Sequence, residues 1–132
     1  MTVAARLAAH PSPAPHADLL AAAVAAALDC SQACTACADA CLSEADVEDM
    51  RRCVSTDLTC ADVCATTARV LSRQSAPLVD VTRALLLACV AACTACGDEC
   101  AQHAGHHEHC RLCAEACRRC AEACRALLDA LA

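Results

Sequence analysis

Apolar residues recur along this chain at intervals of three and four positions, which is the repeat of an α-helix. Four stretches carry this repeat, and polar segments that contain proline or glycine in two cases separate them, at residues 42–49, 72–80 and 104–108. We therefore predict four helices, at residues 18–43, 46–73, 78–103 and 108–130. Short connections make consecutive helices antiparallel, so the predicted fold class is all-α, an antiparallel four-helix bundle.

Cysteine accounts for most of the repeat in every predicted helix. In the first and third helices the cysteines are 4, 3 and 4 residues apart, and both helices contain the sequence Ala-Cys-Thr-Ala-Cys. At about 100° per residue, this spacing places four side chains within about 60° of arc, on one face of the helix. The other two helices carry similar stripes. The predicted bundle thus has a cysteine-lined core made of 16 residues: Cys30, Cys34, Cys37, Cys41, Cys53, Cys60, Cys64, Cys89, Cys93, Cys96, Cys100, Cys110, Cys113, Cys117, Cys120 and Cys124.

The composition changes the picture of this core, because the chain contains no Phe, Tyr or Trp. Aromatic side chains supply much of the buried area of ordinary small domains, and here only aliphatic residues and cysteine are left to fill the interior. A length of 132 residues allows one domain. We predict a flexible or partly helical leader at residues 1–17 and a metal-storage bundle at residues 18–132.

The N-terminal sequence decides how the cysteines are interpreted. It lacks the basic start, apolar run and small-residue cleavage site of a secretory signal, and no run of about 18 uncharged apolar residues indicates a membrane span. We therefore predict a cytoplasmic protein with no membrane partner, in which thiols stay reduced. The net charge of −6 argues against nucleic acid as a partner, since phosphate binding needs a basic surface.

The end of the predicted bundle near Pro77 is apolar. When the four cysteine stripes are extended toward this end, each meets one leucine. These residues predict a hydrocarbon plug: Leu19, Leu71, Leu85 and Leu128.

The opposite end of the bundle is polar and rich in histidine. The stripe of the third helix continues to His103 and, if that helix persists beyond Gly105, to His107. Because neutral imidazole is a good metal ligand, we predict that these two residues bind metal ions where the ions enter the bundle. His106 and His109, just before the fourth stripe, rank below them, and solvation of the loop is the alternative for the whole cluster.

Sixteen inward-facing thiols suit one class of ligand better than others. Cysteine as a small hydrophobe explains one or two positions per helix. Disulfides are poorly placed between neighbours on one helix, although bridges between helices stay open. Structural zinc and iron–sulfur sites use cysteines on loops and not continuous helical stripes. Soft Cu(I) prefers thiolate ligands, so the pattern favours multiple Cu(I) ions.

Charge also favours a monovalent ion. A thiol that exchanges H⁺ for Cu⁺ keeps its local charge at zero, whereas Zn²⁺ on four thiolates leaves about −2 in the interior, with no basic residue on the cysteine faces. If each sulfur bridges two ions and each ion takes two sulfurs, the capacity is on the order of one Cu(I) per cysteine, about 16 per chain. This capacity indicates storage, and we predict no enzymatic activity.

The stripe of the second helix is interrupted. When the cysteines of the second and fourth helices are aligned, Asp57 corresponds to Cys117. We predict that Asp57 is an oxygen ligand or proton acceptor beside the metal. Rotation of its side chain to water or to a neighbouring chain is the alternative. Met50 corresponds to Cys110 and is expected to pack, with a thioether ligand as the alternative.

Together these features resemble the bacterial four-helix-bundle copper storage proteins, in particular the branch without an export signal. The resemblance rests on the Cys-x-x-x-Cys repeats of all four helices, the sulfur-lined interior and the histidines at one end, and it covers roughly residues 18–130. It implies Cu(I) held by bridging cysteines, uptake at the polar end and a homotetramer of bundles. A copper chaperone is a candidate donor or acceptor of the ions.

Two other functions stay open from the sequence. A zinc or general metal and thiol buffer of the metallothionein type would use the same cysteines, and titration with both metals discriminates it. A thiol redox enzyme needs an exposed cysteine of low pKa beside a base, which uniform buried stripes do not offer.

Overall fold

The computed structural model describes residues 2–131, and the regular structure within them is entirely helical. A short helix, α1 (Val3–Ala8), precedes four long helices: α2 (Ala17–Leu42), α3 (Arg51–Leu71), α4 (Val79–His103) and α5 (Glu108–Ala130). The predicted all-α class is confirmed. The bounds of the long helices lie within two residues of the prediction, except that residues Val47–Met50 form a 3₁₀ turn before α3.

The four long helices form a bundle in which each packs against two neighbours. α2 and α4 each lie between α3 and α5, so α2 and α4 are diagonally opposed. The α2–α3 and α4–α5 connections share one end of the bundle, which we call the mouth, and the α3–α4 connection lies at the leucine end. α4 and α5 approach closely, since a β-carbon at Gly97 would lie only 3.3 Å from Cβ of Cys117.

Leucines close the leucine end, but three of the four predicted residues are wrong by one position. Leu71 is buried as predicted, whereas Leu19, Leu85 and Leu128 are only partly buried or flank the core. The inward positions of each helix alternate steps of three and four residues, the seven-residue repeat of supercoiled helices. In each helix, the two cysteines nearest the leucine end are four residues apart, so the next inward position lies three residues further toward that end. The buried leucines are therefore Leu20, Leu71, Leu86 and Leu127.

The N-terminal leader covers the leucine end of the bundle, where Val3 and Leu7 pack against the core. Gln74, a largely buried residue of the α3–α4 connection, holds the leader with both amide atoms. Its Oε1 accepts a hydrogen bond from the backbone N–H of Ala14 at 2.8 Å, and its Nε2 donates to the carbonyl oxygen of Leu7 at 3.1 Å. The leader is thus docked and contains the helix α1.

The outer faces of α2 and α4 are apolar. Both helices are long and apolar enough to cross a membrane by length and composition alone, although only 33% and 28% of their most apolar windows are buried inside the protein. Inward-facing cysteine and alanine contribute to this character as much as outward-facing leucine does. Leu28 of α2 and Leu87 of α4 are 46% and 57% exposed, so these helices offer apolar surface outside the bundle.

Replacement of Gln74 by alanine is expected to release the leader without unfolding the bundle. The variant loses two hydrogen bonds, each worth about 0.5–1.5 kcal/mol, so amide exchange at residues 3–8 should accelerate by roughly tenfold. Hydrogen exchange followed by mass spectrometry measures this. His10→Ala, which loses two exposed hydrogen bonds, with Ser75 and with the backbone N–H of Ser12, is the control. Unchanged exchange at residues 3–8 would show that apolar packing alone holds the leader.

Candidate metal-binding core

All sixteen cysteines line the interior as free thiols with at most 1% exposure. Neighbouring Sγ atoms lie between 3.5 and 4.0 Å apart, well beyond the S–S bond length of about 2.05 Å. Contacts cross between helices: Sγ of Cys30 lies 3.9 Å from that of Cys60 on α3 and 3.8 Å from that of Cys117 on α5. The thiols therefore form a network along the bundle instead of isolated pairs.

The sulfurs fall into overlapping groups of four whose donor atoms all lie within 4.8 Å of one another. Cys30 and Cys34 each belong to more than one group, so groups share sulfurs. A metal–thiolate bond of about 2.3 Å, the length for zinc, would place two sulfurs about 4.0 Å apart around a trigonal ion and about 4.6 Å apart around a linear one. The observed separations of 3.5 to 4.0 Å are closest to the spacing around a trigonal ion.

Burial favours the neutral form of two thiols near the mouth, Cys41 and Cys110. It is the largest cause of the raised pKa of Cys41 and of Cys110, and repulsion from a Cys37 thiolate raises both further. No arginine is among the buried residues of the described chain, and the sequence contains no lysine. A metal that binds here must therefore displace protons, and only a monovalent ion leaves each sulfur with the charge it had before.

Asp57 points into the sulfur network. The side chain is fully buried, so the alternative in which it turns to water is wrong. The thiols of Cys96, Cys100 and Cys113 donate hydrogen bonds to Oδ1 at 2.9, 3.3 and 3.3 Å. Burial and the hydrogen bond with Cys96 raise the pKa of Asp57 to about 12, so it is a neutral carboxyl in the metal-free core. One of its oxygens also groups with three thiols near the mouth, in the geometry of a metal site.

His103 lies at the mouth end of the α4 stripe and is held by Glu99. Nε2 of His103 is 2.8 Å from Oε2 of Glu99, and Oε1 of Glu99 pairs with Nε of Arg52 at 3.2 Å. Because a carboxylate only accepts hydrogen bonds, Nε2 of His103 carries a hydrogen and Nδ1 is left as the possible metal ligand. These two partners also explain how a charged residue, Glu99, can be only 7% exposed.

His109 faces the sulfurs more directly than His107 does. Its Nδ1 lies 3.3 Å from Sγ of Cys37 and 3.6 Å from Sγ of Cys110, and these atoms group with the sulfur of Cys41. Burial by itself lowers the pKa of His109, but its hydrogen bonds with Cys37 and Glu44 outweigh this, and the pKa is raised.

Both ring nitrogens of His107 contact carboxylates instead. Nδ1 is 2.5 Å from Oε2 of Glu44 and Nε2 is 3.1 Å from Oδ2 of Asp46. α4 ends at His103, so His107 does not extend its stripe and is the N-cap residue of α5. His106 is exposed in the same connection.

The predicted order of the mouth histidines assumes that the helical repeat of α4 continues through the α4–α5 connection. That repeat ends with α4 at His103. The signal that could have found His109 is its position directly before Cys110, the first cysteine of α5. Met50 is fully buried in the core next to the first turn of α3, as expected for a packing residue. The contact of Glu99 with Arg52 joins two helices and has no signal in the local sequence, whereas the spacing of four residues between Glu99 and His103 could have indicated their contact.

The fold and this interior define a class of protein, namely helical bundles that hold soft metal ions on shared thiolates. The sequence matches the copper storage protein family over residues 16–129. The chain belongs to the copper storage protein family, which is a family of storage proteins and not of enzymes.

Three solved structures show the same fold. The Streptomyces lividans copper storage protein Ccsp, loaded with 10 copper equivalents, is 54% identical with a TM-score of 0.94, over 97% of this chain and 98% of that one. A cytosolic copper storage protein from Streptomyces lividans with five coppers is 59% identical, with a TM-score of 0.84, over 85% of this chain and 93% of that one. Cu(I)-bound BsCsp3 is 36% identical, with a TM-score of 0.69, over 80% of this chain and 93% of that one.

Replacement of Asp57 by asparagine is expected to stabilise the metal-free protein at neutral pH. Because the pKa of Asp57 is raised from 3.8 to about 12, the folded state keeps a proton that the unfolded state releases above about pH 4, and stability falls as pH rises from there. The stabilisation by Asp57→Asn should grow with pH and reach at most about 4 kcal/mol at pH 7.

Urea unfolding of the reduced, metal-free protein at pH 5 and pH 7 measures this difference. Asp62→Asn, which changes an exposed carboxylate on the same helix, is the matched control and should show no such growth. An Asp57→Asn effect that is equal at both pH values would contradict a buried neutral carboxyl.

Proposed function

We propose that this protein stores many Cu(I) ions in the cytosol on the sixteen thiols of its core, with Asp57 and the mouth histidines as further ligands. The network of sulfurs 3.5 to 4.0 Å apart carries the proposal, because every ion can be shared between neighbouring sulfurs. Membership of the copper storage family and the Cu(I)-bound relative support the choice of metal. The cytosolic Streptomyces relative supports the location.

The proposed capacity is on the order of one Cu(I) per cysteine, about 16 per chain. Exchange of a proton for Cu⁺ leaves the core neutral, so filling does not accumulate charge. A loading of 10 copper equivalents on the similar Streptomyces protein supports a number of this order. A zinc or general metal buffer is the second candidate, since the same thiols can bind Zn²⁺, but the absence of buried basic residues among those described disfavours a divalent ion.

Copper enters at the mouth in this proposal. The leucine end is closed by buried leucines and by the docked leader. At the mouth, His109 offers Nδ1 beside the thiols of Cys37, Cys41 and Cys110, and His103 extends the α4 stripe. His107, bound to two carboxylates, must exchange one of these contacts before it can take an ion.

We also propose a homotetramer of bundles that covers the apolar outer faces. Large apolar side chains are half exposed on all four long helices, and exposed apolar patches of this kind mark association surfaces. They are Leu28, Leu58, Leu87 and Leu112. A copper chaperone is the proposed donor or acceptor at the mouth.

Titration of the reduced protein with Cu(I) against a competing chelator tests the storage function. We expect saturation at about 16 Cu(I) per chain, with roughly one proton released per ion because the ions replace thiol hydrogens. For the same reason, affinity should rise with pH. A parallel titration with Zn(II) should show weaker and smaller loading. Saturation at one to four Cu(I), or tighter Zn(II) binding, would rule out copper storage.

Replacement of His109 by alanine is expected to slow Cu(I) uptake by roughly tenfold or more while capacity stays nearly intact. Stopped-flow transfer of Cu(I) from a chelator measures the rate. His103→Ala should also slow uptake, and His107→Ala should have a smaller effect because its nitrogens face carboxylates. His106→Ala, an exposed histidine of the same connection, is the control. Equal rates in all four variants and the parent protein would show that copper does not pass the histidines.

A further inference from the structure

The carboxylate of Glu44 connects two histidines of the mouth. Its Oε2 lies 2.5 Å from Nδ1 of His107 and 3.0 Å from Nε2 of His109. The two imidazole rings are stacked, with centroids 5.4 Å apart and an angle of 18° between their planes. One oxygen atom thus accepts a hydrogen bond from Nε2 of His109 and forms a close ion-pair contact with Nδ1 of His107.

Glu44 is itself fixed to the metal-binding part of the chain. It follows the C-cap residue of α2, and its backbone N–H donates to the carbonyl oxygen of Cys41 at 3.2 Å. Cys41 is one of the three thiols grouped with His109. The side chain that orients the histidines therefore starts from the last turn of the helix that carries two of those thiols, Cys37 and Cys41.

The contact with Glu44 selects which nitrogen of His109 is offered to a metal. A carboxylate can only accept, so Nε2 of His109 carries a hydrogen. It keeps this hydrogen whether or not Nδ1 is protonated as well. The lone pair that becomes available is therefore on Nδ1, which is 3.3 Å from Sγ of Cys37 and 3.6 Å from Sγ of Cys110. Without Glu44, the ring could flip or carry its hydrogen on Nδ1, which would turn a donor and not a ligand toward the sulfurs.

We propose that Glu44 is a positioning residue for copper uptake, which holds His109 with Nε2 protonated and thereby presents Nδ1 to an ion at the Cys37, Cys41 and Cys110 thiols. The inference rests on the proposed uptake at the mouth. It assigns Glu44 no bond to copper. Hydrogen bonds from carboxylates to the far nitrogen of metal-binding histidines act in this way at other metal sites.

The competing explanation is that the acidic mouth simply attracts cations. Variants of two neighbouring carboxylates distinguish this attraction from the positioning of His109 by Glu44. Asp46 contacts Nε2 of His107, whereas the carboxylate that contacts His109 is that of Glu44. Glu48 is an exposed carboxylate of the same connection. Asp46→Asn and Glu48→Gln remove the same charge as a change at Glu44, but they leave the Glu44–His109 hydrogen bond in place.

The test combines a spectroscopic and a kinetic measurement on the full-length protein. In the metal-free state, ¹⁵N chemical shifts of the His109 ring report which nitrogen carries the hydrogen. We expect Nε2–H in the parent protein and a mixture of the two forms in Glu44→Ala. Transfer of the first equivalent of Cu(I) from a chelator should be roughly 10–100-fold slower in Glu44→Ala. Glu44→Gln should recover much of the rate, because its amide oxygen can still accept from Nε2.

The control variants Asp46→Asn and Glu48→Gln should change the rate by less than about threefold, as expected for exposed charges. An unchanged His109 ring and rate in Glu44→Ala would overturn the inference, and so would equal slowing in all three carboxylate variants. Total Cu(I) capacity is measured in parallel. A parent protein that fails to bind more than four Cu(I) refutes the storage proposal, while the ring measurement, which needs no metal, still decides whether Glu44 positions His109.

Discussion

Packing of sulfur against sulfur along the bundle axis is the interaction on which the rest of this structure depends. The separation of 3.5 to 4.0 Å between neighbouring Sγ atoms is a van der Waals packing distance and also close to the spacing of two sulfurs on one trigonal ion. The metal-free core is therefore already arranged for bridging ions. Because thiols replace aromatic side chains inside the bundle, stability must come from the helices themselves, from the two ends and from apolar contacts outside.

The two ends of the bundle differ in their chemistry, one being apolar and the other polar. At the leucine end, apolar side chains and the docked leader separate the thiols from water, and Gln74 hydrogen-bonds the backbone N–H of Ala14 and the carbonyl oxygen of Leu7. At the mouth, imidazoles and carboxylates form a polar cover that can exchange partners. Asp57 lies between these ends, fully buried, and as a neutral carboxyl it places oxygen atoms beside the thiols without adding charge to the metal-free core.

Helical periodicity was enough to predict the bundle, because each inward stripe repeats within one helix. When the cysteine stripes are extended without the alternation of steps of three and four residues, they predict that Leu19 and Leu85 are buried. The buried residues are Leu20 and Leu86. The correct residues follow from the supercoil, which is a property of packed helices and not of one helix alone. The role of Glu44 could not be predicted, since its partner His109 lies 65 residues away in the chain. For Glu99, the contact with Arg52 of α3 was equally hidden, although its spacing of four residues from His103 is a local signal.

The change of ligand type along the axis gives the bundle a direction for soft ions. Near the mouth, the donor groups mix sulfur with the imidazole of His109 or the carboxyl of Asp57, whereas deeper groups consist of sulfur alone. Cu(I) favours thiolate over nitrogen and oxygen ligands, so in the proposed uptake an ion at the mouth would gain free energy by moving inward. Each inward step returns a proton to the mouth side for each thiol that is newly bound. The core thus fills without building up the charge that would oppose the next ion, a condition that a divalent metal on the same thiols does not meet.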